Sequence, residues 1–152
     1  MQTVMAGIAT VVTTLVLGVV IGLVLKRRDG RMRVVEHAPV TSADLAADLG
    51  ERATLVQFST AFCQPCRATR RILDEVAAMV PGVRHVEIDA ESRLDLVRRF
   101  GVLRTPTVLV LDGAGNVVKR ASGLPRKADV IGALGAAVDG TSHGPSQASD
   151  KV

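Results

Sequence analysis

Residues 1–25 contain no Asp, Glu, Lys, Arg or His, and from Val4 to Leu25 the chain uses only Val, Ile, Leu, Met, Ala, Gly and Thr. As a helix rising ~1.5 Å per residue, this stretch would span about 33 Å, enough for a hydrocarbon layer of roughly 30 Å. A transmembrane helix over 4–25 is therefore expected. A cleaved secretory signal would instead call for a basic leading segment, a shorter apolar core and a small-x-small cleavage site. Met1-Gln2-Thr3 is uncharged, and the cations Lys26, Arg27, Arg28, Arg31 and Arg33 come directly after the apolar run. That order predicts an uncleaved anchor with a basic juxtamembrane linker over 26–33. By the positive-inside rule the N-terminus lies outside and everything after Lys26 lies in the cytoplasm. Within the span, Thr10, Thr14, Gly18 and Gly22 recur every four residues, a stripe through which Gly18 and Gly22 could pair with another membrane helix.

The formal net charge of +4 raises the question of a nucleic-acid partner. Much of the excess sits in the juxtamembrane cluster, where it can rest against anionic headgroups. Phe58, Phe62 and Phe100 are the only Phe, Tyr or Trp residues. With so few stacking residues, nucleic-acid binding is not expected.

Beyond the anchor, strands and helices alternate. Thr41-Ser42-Ala43-Asp44 resembles a capping box and opens a short helix with Leu45, Ala46 and Leu49, stopping at Gly50. Residues 53–59 (ATLVQFS) form a β-rich run, and 67–80 have helical spacing at Leu73, Val76 and Val80 before Pro81-Gly82. Residues 83–89 (VRHVEID) alternate in period two, and 92–100 read as a helix with Leu94 and Val97 on one face. Two strands, 107–111 and 116–120, flank the turn signal Asp112-Gly113-Ala114-Gly115, and a last helix covers 126–138. There is no internal repeat. The tail 140–152, rich in Ser, Gly, Pro and Gln, reads as disordered. The expected fold is α/β: a mixed central sheet, parallel at first and ending in an antiparallel hairpin, covered by helices on both faces. A core over residues 34–139 is long enough to fold without staples.

The only two cysteines, Cys63 and Cys66, are separated by Gln64 and Pro65. Such a pair is compatible with a metal clip, a structural staple or a reactive dithiol. A permanent staple does not suit a reducing compartment. A closed zinc site needs about four ligands. Besides the cysteines the chain offers only His37, His85 and His143, of which His37 and His143 lie outside the predicted core. A two-thiolate copper(I) carrier and a non-enzymatic adaptor remain as rivals to redox chemistry. Cys63 closes a strand-to-helix turn, and Cys66 falls in the first turn of a helix that Pro65 helps to start. Unsatisfied backbone N–H groups and the positive helix end there favour a thiolate. Arg67, Arg70 and Arg71 follow, read as a solvated helix face.

The segments FCQPC, ILDEV, VEIDA and RTPTVLV, with Gly123 after them, occur in the order and spacing of the thioredoxin family, which the chain resembles throughout 34–139. The resemblance implies a thioredoxin-like fold and a thiol–disulfide oxidoreductase. Cys63 would attack, Cys66 would resolve, and Pro106 would match the family's cis-proline, with Thr105 pairing with a substrate segment. The implied partners are a disulfide-containing protein substrate and an electron-donating reductase or membrane thiol carrier. No cofactor beyond the Cys63–Cys66 pair and no metal is implied.

The chain departs from the family around this pair. Phe62 stands for the usual Trp, Gln64 for Gly, and Arg71 for a helical proline. Gln57 takes the place of the buried acid thought to receive a proton from the resolving cysteine, and an amide cannot do so at neutral pH. His85 replaces the neighbouring lysine and is the nearest side-chain candidate for the proton, with removal by bulk water the favoured alternative. If the anchor were inverted, an extracytoplasmic thiol reductase would be the reading.

Overall fold

A computed structural model describes residues 1–28, 30–33 and 39–142. Helix α1, Gln2–Arg28, is apolar and exposed over its described side chains as far as Arg27. The hydroxyls of Thr10, Thr13 and Thr14 donate to the carbonyls of Ala6, Ala9 and Thr10 at 2.8 Å. These three hydroxyls are thus satisfied within the helix, the arrangement that an apolar environment would require.

The rest of the chain runs α2 (Ser42–Leu45), β1 (Ala53–Ser59), α3 (Gln64–Met79), β2 (Val83–Asp89), α4 (Leu94–Arg99), β3 (Thr107–Asp112), β4 (Val117–Ser122) and α5 (Lys127–Ser142). The sheet order is β2-β1-β3-β4, with β1 parallel to β2 and both remaining pairs antiparallel. β1 is buried at every position because helices cover both faces. On one face Val56, Phe58, Leu109 and Leu111 meet Leu45, Leu96 and Phe100. On the other, Ala53, Leu55, Val108 and Val110 meet Leu73 and Val76 of α3 and Val130, Ala133 and Leu134 of α5. This is the expected mixed, doubly covered sheet.

Several element bounds depart from expectation. The capping box forms, with Thr41 and Asp44 bonded reciprocally, but α2 ends at Leu45 because Ala46 turns left-handed at φ 51°. Gly50 therefore stops no helix. A Cβ there would lie 2.1 Å from the Ala53 carbonyl oxygen, so glycine serves the close entry to β1. α3 begins at Gln64 rather than 67 because Cys63 itself caps it. α4 is shorter than expected, since Ser92 turns its hydroxyl to Asp89. α5 continues through Gly140 to Ser142, so the first residues of the tail are helical. The tail from 143, His143 within it, and His37 lie outside the described residues.

The segment expected as a basic juxtamembrane linker, 26–33, is docked on the domain over 30–33. Gly30 N–H donates to the Ser122 carbonyl at 2.7 Å, Met32 packs against the α3/α5 core, and Arg33 bridges Arg120 in antiparallel fashion.

Candidate active site

β1 delivers the chain to the end of the sheet, a turn through Thr60, Ala61 and Phe62 reverses it, and α3 starts at once. Cys63 is the N-cap of α3, and its Sγ accepts a hydrogen bond from Cys66 N–H at 3.2 Å. Pro65 sits in the first turn, where it forfeits no helical hydrogen bond. Cys63 and Cys66 are joined as a disulfide, with Cα atoms 5.2 Å apart. The two sulfurs differ in access: Cys63 is half-buried and Cys66 is 2% exposed. Phe62 beside them is 99% exposed, and Gln64 and Pro65 are exposed too.

A second loop meets the pair from across the sheet. The Thr105-Pro106 bond is cis, and the Thr105 hydroxyl lies 3.2 Å from that of Thr60, just ahead of the cysteines. Gly123 N–H donates to the Pro106 carbonyl at 2.7 Å, so the start of β3 and the end of β4 close this end of the sheet together.

Gln57 is completely buried on β1, where its Nε2 donates to the Cys66 carbonyl at 3.0 Å. Its Oε1 is buried without a partner among the described residues. His85 lies on the neighbouring strand as expected, but its register partner is Leu55. Its Nδ1 is 2.6 Å from Asp74 Oδ1 on α3, and the side chain is only 8% exposed. The residue opposite Gln57 is Glu87. Glu87 accepts from Ser59 Oγ and from Arg70 Nη2, the latter at 2.7 Å. Burial opposes ionisation of this carboxyl, but the Arg70 and Ser59 hydrogen bonds outweigh it and hold Glu87 below the usual carboxylate range.

A cleft of about 550 Å³ runs beside the disulfide, lined by Ser59, Thr60, Cys63, Cys66, Arg67, Arg70, Glu87 and Asp89 among others. Gln57 and His85 do not line it. Arg70, read from sequence as part of a solvated helix face, is exposed as expected and is also the ion-pair partner of Glu87. The residues missed from sequence are Glu87, Thr60 and Ser59. Only Glu87 carried a usable signal: in VRHVEID it shares His85's face by period two.

A family model of thioredoxin matches residues 36–135. The chain belongs to the thioredoxin family. It is 30% identical to the thioredoxin of Bacillus subtilis over 88 residues, covering 57% of this chain and 84% of that protein. It is 29% identical to that of Chlamydia muridarum over 92 residues, covering 60% and 89%. It also matches the bifunctional thioredoxin reductase/thioredoxin of Mycobacterium leprae at 30% identity over 95 residues, 60% of this chain but only 20% of that longer protein. Among solved structures, a thioredoxin of Nicotiana alata superposes with a TM-score of 0.51 at 25% identity, covering 58% of this chain and 75% of that one. A mutant thioredoxin of Halobacterium salinarum gives 0.52 at 18% identity, covering 58% and 76%, which bears on the fold alone. A thioredoxin domain with a cysteine pair at disulfide distance is a thiol–disulfide oxidoreductase domain. The match begins at residue 36, so α1 lies outside it.

Proposed function

We propose that the protein is a membrane-anchored disulfide reductase acting through Cys63 and Cys66. The observation that carries this reading is the unequal pair: a half-buried sulfur at the α3 N-cap joined to a buried one. In the reduced protein, Cys66 N–H and the positive end of α3 favour a thiolate on Cys63. That thiolate attacks one sulfur of a substrate disulfide, forming a mixed disulfide while the other substrate sulfur leaves as thiolate. Cys66 then gives up its proton and attacks Cys63 Sγ. The second substrate thiolate leaves, and two electrons have passed from the dithiol to the substrate. An electron-donating reductase or a membrane thiol carrier must reopen the Cys63–Cys66 disulfide. Thr105 and Pro106 would hold a substrate segment in extended form beside the pair.

The proton of Cys66 needs an acceptor that Gln57 cannot be. His85 is the side-chain candidate from sequence, but it stands away from the cleft. Glu87 shares the cleft with Cys66 and is ionised, so the reading assigns it the proton, passed through water in the cleft.

Anchoring rests on the apolar α1, with a stretch of 24 residues suited to a membrane span, and on the cations after it. Those cations favour a cytoplasmic domain. An inverted topology would make the same chemistry that of an extracytoplasmic thiol reductase. Insulin reduction with the parent and with Cys63→Ser tests the enzyme against an adaptor, and metal analysis of the reduced protein tests the copper(I) carrier. Capture on a Cys66→Ser variant would identify the substrates, and carbonate extraction of membranes tests the anchor.

A further inference from the structure

Phe58, Thr107 and Ser122 lie in one row across the sheet, in successive register, and Gly30 extends that row through its bond to the Ser122 carbonyl. From Gly30 the chain runs antiparallel to β4, so that Arg33 meets Arg120, farther from the row. The membrane helix therefore joins the domain at the end of the sheet that carries the cysteines, not at the opposite end. The junction is built for close approach. Gly30 has φ +72°, and a Cβ there would lie 2.0 Å from the Leu124 carbonyl oxygen. Arg104, two residues ahead of Pro106, donates to the same Ser122 carbonyl at 3.2 Å.

Connectivity limits how far this end can stand from a bilayer. Lys26 to Arg28 add about 4.5 Å of helix rise beyond Leu25, and two further Cα steps add at most about 7.6 Å to Gly30. With strands about 5 Å apart, Thr107 is roughly 10 Å from Gly30, which puts the Thr105-Pro106 turn roughly 25 Å or less from the hydrocarbon edge. Leu103 in the loop before that turn is 94% exposed, Leu124 beside Gly30 is 45% exposed, and Phe62 is almost wholly so. Apolar side chains among cations suit the interfacial layer of a membrane.

We propose that the docked junction holds the redox pair at the membrane surface, and that its substrate is a disulfide lying at headgroup level in an integral membrane protein rather than one in a freely diffusing protein. This rests on the anchored reading and narrows its substrate class. The docking at Ser122, rather than a flexible tether, restricts the depth at which Cys63 can meet a partner.

The test uses the full chain in vesicles together with synthetic single-span peptides carrying a two-cysteine disulfide loop. The loop is placed either about five or about forty residues from the span. The parent should reduce the near loop about tenfold faster than the far one, because restricted reach raises the effective concentration of only the near disulfide. A flexible insertion of about twenty residues between Arg28 and Asp29, long enough to free the domain from the surface, should bring that ratio to about one. Insulin reduction should be unchanged, which reports an intact domain. A parent ratio near one, or a ratio that survives the insertion, would overturn the proposal while leaving the anchor standing. Release of the parent from vesicles by a carbonate wash would overturn the anchored reading and this proposal with it.

Discussion

Glu87 stands directly opposite Gln57 in the parallel β1–β2 ladder, with both side chains turned toward the helix that carries the cysteines. One position of the pair holds the Cys66 carbonyl and the other supplies the ionised group. Glu87→Gln should therefore slow the resolving step by about tenfold or more, while alkylation of Cys63 changes little. Stopped-flow decay of a mixed disulfide measures this directly. Because Glu87 is held below the usual carboxylate range, the parent rate should show no loss of base as pH falls through 7 to 6, and His85→Ala should leave that profile in place. Gln57→Asp, which adds an acid next to the resolving cysteine, should accelerate resolution; an unchanged rate would mean that this position does not control proton transfer.

The unequal burial of the two sulfurs leads to a second expectation. Cys63→Ser should abolish insulin reduction, whereas Cys66→Ser should still form mixed disulfides and fail to release them. Mass spectrometry of the reduced protein after brief iodoacetamide treatment should find the label on Cys63. Preferential labelling of Cys66, which is buried, would reverse the assignment.

Much of this site is legible in the sequence. The apolar run of β1, the Cys63-Gln64-Pro65-Cys66 spacing and the proline at a helix start are local signals, and they put both cysteines where the structure has them. What was not legible is carried by register and backbone. His85 and Glu87 share a face by alternation, and only the pairing of β1 with β2 decides which one meets Gln57. The left-handed Ala46 that ends α2 has no side-chain signature. The bond from Gly30 to Ser122 joins backbone groups 92 positions apart, which no periodicity announces.

The capping box gives a pH-dependent expectation. Hydrogen bonds from the Thr41 backbone and hydroxyl, with Arg99 beyond them, hold Asp44 below its ordinary 3.8. A carboxyl depressed in the folded state stabilises it above the unfolded pKa, and that contribution is lost as pH falls through the lower folded value. Thr41→Ala should cost about 0.5–2 kcal/mol at pH 7 in urea titrations, as cap removals do. Asp44→Asn should also destabilise at pH 7, and its deficit should shrink below pH 3.8, where the parent's own carboxylate is being protonated. A deficit that stays constant down to pH 2 would remove the ionised Asp44 from the cap's contribution.

Topology sets which pool of electrons the enzyme draws on, and the sequence around α1 makes a directional statement about it. Five cations, Lys26, Arg27, Arg28, Arg31 and Arg33, follow the span, and Met1-Gln2-Thr3 before it carries no charged side chain. Cations within about fifteen residues of a span resist translocation, so the side carrying them stays in the cytoplasm. Gly30 and Arg33 are hydrogen-bonded to β4, so on the proposed topology the domain would lie on that side. A C-terminal reporter active only in the cytoplasm should be active, and one that works only after export should be silent. The mass of the membrane-bound chain should include α1. Export-dependent activity would reverse the orientation and give the extracytoplasmic reductase. A shortened chain lacking α1 would make this helix a signal sequence and detach the catalytic domain from the membrane altogether.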